Sequence, residues 1–261
     1  MGLTPARRHR RPPRRPSVEA MTVPETAPRS LEHHLQEQAD AGLAEAGSDD
    51  VVAAVGAMIA HPEYPCLGAR SVFRRDDATV VVLDDMSSPH DVHELARALA
   101  EYGRSADPAG PFVSFVAVFR GPEVDDERHF EQMLWQVLQT LHDEDEVPWA
   151  SGVDQEPDQA HFAFSQAGVA YFIVGLHPQA SRVARRAPLP MLVFNLHEQF
   201  ETLRSQGSYE RMRDTIRRRD IAVQGTTNPM VADHGSSSEA RQYSGRRVDE
   251  DWHAPFTPRE P

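Results

Sequence analysis

The stretch from residue 171 to 200, YFIVGLHPQASRVARRAPLPMLVFNLHEQF, constrains the fold of this chain more than any other. Two apolar runs inside it, residues 171–176 and 191–194, have the length and the β-branched or aromatic content of buried strands. A short connection carrying His177, Arg182, Arg185 and Arg186 joins them. Each run ends in a histidine: His177 directly, before Pro178, and His197 after Asn195, a residue suited to a turn or helix cap. A polar group at the end of a core strand is held by rigid scaffold and faces an opening, where sites are usually built. This stretch is therefore the expected active region.

Other elements arrange themselves around it. Residues 112–119, FVSFVAVF, are apolar at almost every position and read as a central strand, with residues 79–83 as another. Phe130, Met133, Leu134, Val137, Leu138 and Leu141 recur at spacings of three and four, which predicts a helix lying on the sheet. A further helix is expected over residues 91–102. Upstream, Ser30 caps a thin helix over residues 30–44, and Asp49 and Asp50 cap a second one that ends at His61-Pro62. The proline-broken HPEYPC then delivers Cys66 in an extended or turned segment. Residues 161–165 and 171–176 flank Gln166-Ala167-Gly168, a connection of hairpin length. Two helices, residues 198–205 and 209–219, are separated by Gly207.

Beyond residue 224 the periodicity fades, yet Tyr243, Trp252 and Phe256 persist, which favours a wrap over the core. The expectation is an α+β fold: a single domain over residues 30–256, with a central mostly antiparallel or mixed sheet packed by helices and an irregular C-terminal wrap. Residues 1–29, with six arginines among the first 16, read as a disordered basic leader, and residues 257–261 as a disordered tail.

The formal net charge of -13 argues against nucleic acid as a main partner. All 27 basic residues are arginine, which excludes a Schiff-base or P-loop lysine. One cysteine, Cys66, cannot form an internal disulfide, and no window approaches the roughly 18 apolar residues of a membrane span, so the expected location is the cytoplasm. GxGxxG, GxxxxGK[ST], GxSxG and HExxH are all absent. His90 and His93 share an HxxH spacing at a solvent-exposed helix entry, a common arrangement that lacks a third metal ligand nearby.

What remains is His177-Pro178, then Arg182, Arg185 and Arg186, then His197, around two strand ends. One imidazole with several guanidiniums suits an anionic macrocycle such as haem, and equally a phosphate or carboxylate substrate. The structural alternative is a hydrogen-bonded core histidine with arginines paired to the many acids. Cys66 is the rival iron ligand, or a small buried hydrophobe.

The blocks FNLHEQFETLRSQGSYERMRDTIRRRD, GTTNPMVADHG, SSEARQYSGRR and DWHAPF, preceded by HPEYPCLGAR and YFIVGLHPQASRVARR, resemble the YqcI/YcgG family in order from about residue 51 to 256. Some members of that family are haem-dependent N-oxygenases. The resemblance implies haem b, dioxygen, an external electron donor and a small-molecule amine or guanidine substrate of arginine-like or natural-product type. It implies His177 in GLHPQASR as axial ligand, Arg182 and Arg185 as propionate partners, and His197, Glu198, Asn228, Glu239, Arg241 and Tyr243 as pocket wall. A cysteine that many members carry before the final Pro-Phe is Ala254 here. A non-catalytic haem carrier or sensor and a haem-free small-molecule-binding domain are the other readings.

Overall fold

The computed structural model describes residues 30–207, 209–226 and 238–259; the basic leader and Asn228 lie outside the described residues. Among the described residues, seven α-helices surround one five-stranded sheet. The helices are α1 (Leu31–Ala39), α2 (Ser48–Ala60), α3 (Leu67–Arg74), α4 (Pro89–Ser105), α5 (Glu127–Glu144), α6 (His197–Ser205) and α7 (Tyr209–Gln224). The strands are β1 (Ala78–Asp85), β2 (Ser114–Gly121), β3 (Phe164–Gln166), β4 (Val169–Leu176) and β5 (Met191–Leu196). Their order in the sheet is β1-β2-β5-β4-β3. β1 and β2, joined through α4, run parallel, and the other three neighbouring pairs are antiparallel. The fold is the mixed-sheet α+β domain expected from the sequence.

β2 is apolar on alternate and intervening positions because it is interior and covered on both faces. On one face Phe115, Phe194 and Ile173 form a cross-strand row that packs with Leu95 and Leu99 of α4 and with Phe130 and Leu134 of α5. On the other face Val116 and Val118 pack with Val51, Val55 and Met58 of α2. α5 starts where the Asp126 carboxylate accepts hydrogen bonds from the amides of Arg128 and His129, at 2.9 and 2.8 Å.

Several boundaries differ from expectation for local reasons. Asn195 is a strand residue, not a cap: its Oδ1 accepts from the Ser114 hydroxyl at 2.8 Å across to β2, and α6 begins at His197 with no side-chain cap. Gly47 occupies the cap position of α2, leaving Asp49 and Asp50 in the first turn, where they favour the positive end of the helix. The hairpin loop is only Ala167-Gly168, at φ 52° and 75°, the pair of left-handed residues that a two-residue turn with native twist demands. Helix α3 falls where the sequence offers only the short amphipathic run LGARSVFR, and its cap is the Cys66 thiol.

The C-terminal segment does wrap the core. After a 3-10 turn over Glu239–Gln242, Tyr243 is buried against Trp135, with ring centroids 5.7 Å apart. The Tyr243 carbonyl accepts from the Gly175 amide at 2.7 Å, past the end of the short β3, and so satisfies the open edge of β4. Thr257 and Arg259 continue along α5, where their amides donate to Gln139 Oε1 and His142 Nε2 at 2.8 and 3.0 Å. Among the described residues, no helix is long and apolar enough to cross a membrane.

Candidate functional site

Two cavities of opposite character flank α6. The first, of about 280 Å³, lies on the sheet face that carries Ser114 and Val116 of β2, Phe172 and Val174 of β4, and Val193 of β5. α2 and α3 close one side through Met58, Cys66 and Phe73; α6 and α7 close the other through Phe200, Met212 and Ile216. Its walls are mostly apolar, with Arg182, Arg185, Arg213, Arg217 and Asp220 at one end. α7 buries only Asp220 among its residues; its Met212 and Ile216 face the cavity, while Val223 packs on the core and Ile221 is exposed.

Cys66 stands on this wall as the cap of α3, its Sγ accepting from the Ala69 amide at 3.4 Å. Burial pushes the thiol upward from its ordinary pKa, while the amides of Ala69 and Gly68 and the nearby Arg185 charge act in the opposite direction. Arg182 forms a buried ion pair with Asp220 at 2.5 Å and donates to the Thr226 carbonyl at 2.9 Å. Arg185 is spread over three carbonyls, those of Gly175 (3.0 Å), Gln242 (3.0 Å) and Tyr243 (3.4 Å). It ties the connection between β4 and β5 to the C-terminal wrap, and burial lowers its pKa to about 10, which leaves it cationic at neutral pH.

His177 lines neither cavity. Its side chain is fully buried, stacked on Phe130 of α5 at 4.3 Å, and neither ring nitrogen has a hydrogen-bond partner among the described residues. Burial, opposed by Glu127, lowers its pKa to about 4. The histidine and the arginines of one loop thus separate: Arg182 and Arg185 reach the apolar cavity, and His177 faces the opposite side under α5.

The second cavity, about 530 Å³, opens between the C-terminal end of α4, the β3–β4 hairpin and the start of α6. His161, His197, Glu198, Glu201 and Glu239 line it, and among the described residues no arginine does. His197, Glu198 and Glu201 come from the first turns of α6, with His197 and Glu201 3.7 Å apart one turn on. Glu239 comes from the C-terminal wrap, where its Oε1 accepts from the Tyr243 hydroxyl at 2.6 Å. Burial pushes the Glu239 carboxyl up to about 8, against the opposing pull of that hydrogen bond and of Arg204. The Tyr243 hydroxyl, raised well above its usual pKa by burial, also accepts from the Phe164 amide at 3.2 Å.

Of the pocket-wall residues expected from the sequence, His197, Glu198 and Glu239 meet in this cleft. Tyr243 lies behind it. Arg241 faces away, holding the carbonyls of Trp252 and Asp249 and lying 5.7 Å from the Trp252 ring. Asn228 lies outside the described residues. Glu201 and His161 escaped the sequence reading; Glu201 had a usable signal, because positions 197, 198 and 201 share one helix face. Among the described residues, no three His, Cys, Asp or Glu side chains are grouped to hold a metal ion.

Comparison with known proteins gives this architecture a context. The YqcI/YcgG family profile matches residues 55–257. Bacillus subtilis YqcI, an uncharacterized protein, is 29% identical over 166 residues, 60% of this chain and 64% of its own. Bacillus subtilis YcgG, also uncharacterized, is 29% identical over 189 residues, 69% of this chain and 75% of its own. Streptomyces lavendulae DcsA, named as a candidate N(omega)-hydroxy-L-arginine synthase, is 28% identical over 185 residues, 66% of this chain and 68% of its own. The alignment thus spans between about three fifths and three quarters of each relative's length. No solved structure matches the chain.

Proposed function

The chain belongs to the YqcI/YcgG family, and from that membership we propose that it is a haem-dependent oxygenase that uses dioxygen and an external electron donor to hydroxylate a nitrogen of an amino or guanidino small molecule. The observation that carries this reading is the pair of cavities: one apolar and arginine-lined with a thiol on its wall, the other lined, among the described residues, by three carboxylates and no arginine. An anionic macrocycle and a cationic substrate need surroundings of these two kinds. The similarity to DcsA supports the N-hydroxylating chemistry.

The donor chemistry of the apolar cavity fits an iron porphyrin. Cys66 presents sulfur at a helix N-terminus, the setting in which amides favour a thiolate, and a bound metal deprotonates a coordinating thiol. Flat apolar walls are supplied by Val174, Val193, Phe172 and Phe73. Arg182 is neutralised by Asp220, whereas Arg185 is bonded to neutral carbonyls and so sets a positive potential without offering vacant donors. Arg213 and Arg217 share that wall. Cys66 is therefore the residue that would hold the iron, ahead of His177, which lines neither cavity. At about 280 Å³ the cavity lies just below the roughly 300–1,000 Å³ usual for small-molecule sites. When bound, the haem supplies dioxygen activation at its iron; the chain's residues orient the cofactor, exclude water and hold the substrate cation.

The small volume also favours a second reading, a haem-free domain that binds an apolar anion. Turnover separates the two. Haem-reconstituted protein, supplied with a reductant and L-arginine, is expected to consume dioxygen and release a product one oxygen atom heavier at the guanidino group. Absence of uptake with every amine and guanidine tried overturns the enzyme.

A further inference from the structure

Among the described residues, Asp220 is the one carboxylate on the wall of the apolar cavity. It is also the one buried residue of α7, at 7% exposure, while the other acids of that helix, Glu210 and Asp214, stand exposed. Arg182 meets it at a single point: Nη2 donates to Oδ2 at 2.5 Å and turns its remaining capacity to the Thr226 carbonyl at 2.9 Å. Oδ1 is closed off from solvent and has no hydrogen-bond donor among the described residues. The ion pair therefore cancels charge and leaves the hydrogen bonding of the carboxylate incomplete. A buried acceptor in that condition is destabilising, and on a cavity wall its donor comes from an occupant.

The surroundings limit what that occupant is. The arginines at this end of the cavity are donors with no acceptor, and the Asn195 side-chain oxygen already takes the Ser114 hydroxyl, so Asp220 offers the acceptor for an incoming N–H. Asp220 and Cys66 lie within electrostatic reach of the same guanidinium, that of Arg185, which sets carboxylate and thiol in one neighbourhood.

We propose that Asp220 anchors the substrate's guanidino group inside the cavity that takes the cofactor, its Oδ1 accepting an N–H of that group. The proposal rests on the oxygenase reading above and adds the residue and the atom that hold the nitrogen on the cofactor's side of α6. The acidic cleft then serves to attract a cation and is not the place of the chemistry. Arg185, cationic and bonded to neutral carbonyls, opposes a guanidinium in the haem-free protein, and an anionic cofactor offsets it. Arginine is accordingly expected to bind the haem-loaded protein more tightly than the haem-free one.

The experiment is titration of haem-loaded protein with L-arginine and with L-citrulline, in which a carbonyl oxygen replaces one guanidino nitrogen, followed by calorimetry and by the Soret difference spectrum. In the wild type a preference for arginine of about tenfold or more is expected, with a Soret change that saturates along the calorimetric curve. Asp220→Asn keeps the size of the side chain and an oxygen for Arg182, and presents an N–H where Oδ1 stood. Arginine affinity is expected to fall by about tenfold or more in this variant, while citrulline, whose oxygen meets the new donor, binds at least as tightly as in the wild type. Equal weakening of both ligands, an unchanged arginine affinity, or arginine binding that leaves the Soret band unmoved overturns the proposal. If Asp220→Asn does not fold, the wild type decides through L-arginine isotope-labelled at the guanidino carbon: strong broadening of its resonance by ferric iron is expected, and none is the contrary result. Protein that takes up no haem ends the oxygenase reading; protein that takes up haem and binds arginine regardless of Asp220→Asn ends this proposal alone.

Discussion

The imidazole of His177 lies against the ring of Phe130, centroids 4.3 Å apart and planes 21° from parallel, with neither nitrogen hydrogen bonded among the described residues. Such a histidine is stable only when neutral. Its folded pKa of about 4 lies below the ordinary 6.5, so between those values the unfolded chain binds the extra proton. The stability it permits is present above about pH 6.5 and is lost as pH falls toward 4, by roughly 3 kcal/mol in all. Urea midpoints measured from pH 7 to pH 4 are expected to fall accordingly, and His177→Phe to flatten that slope while keeping the ring stack. An equally steep decline in His177→Phe assigns the acid sensitivity elsewhere.

Gly175 is required by close approach. A Cβ there would stand 2.6 Å from Phe130 Cε1, 2.8 Å from the Tyr243 carbonyl oxygen and 2.9 Å from Leu134 Cδ1. Two of these belong to a packed helix and one to the backbone of the wrap. Gly175→Ala is expected to destabilise by about 1–3 kcal/mol, read as a lowered thermal midpoint, through displaced core packing. An unchanged midpoint contradicts the tight seat described for the wrap.

Arg185 holds that wrap from the other side through carbonyls of residues 175, 242 and 243. Its truncation leaves buried acceptors without donors, at about 1–3 kcal/mol for each such group. Arg185→Met is expected to speed proteolytic cleavage after residue 238 more than it lowers the midpoint of the sheet core. Arg185→Lys is expected not to restore protection, because a point charge cannot span three acceptors held by a planar fork. Rescue by lysine removes the geometric argument.

Legibility from the sequence followed the range of the interactions. α5 and β2 were visible because each buries its pattern within its own length: period three to four on the helix, continuous apolarity on a strand covered twice. Asn195 misled because its hydroxyl partner, Ser114, is 81 residues away, and nothing local distinguishes a strand asparagine from a cap. α3 was hidden by its two-proline approach and by a thiol cap. His177 and Arg185 share one loop, and the bond from the His177 amide to the Arg185 carbonyl at 3.0 Å folds that loop so that their side chains diverge. The apolar cavity and the acidic cleft draw on residues from 58 to 242 and from 103 to 239, so only the assembled sheet brings either into being.

The central claim is that the apolar cavity holds haem through Cys66, and the absorption spectrum of protein expressed with haem precursor tests it most directly. Ferric, ferrous and ferrous carbon monoxide spectra of the wild type, Cys66→Ala and His177→Phe form the set. The account predicts a Soret band in the wild type with the ferrous carbonyl band at a thiolate position, its loss or displacement in Cys66→Ala, and its retention in His177→Phe. A wild-type protein that takes up no haem, or one that loses its Soret band with His177 and keeps it without Cys66, contradicts the account.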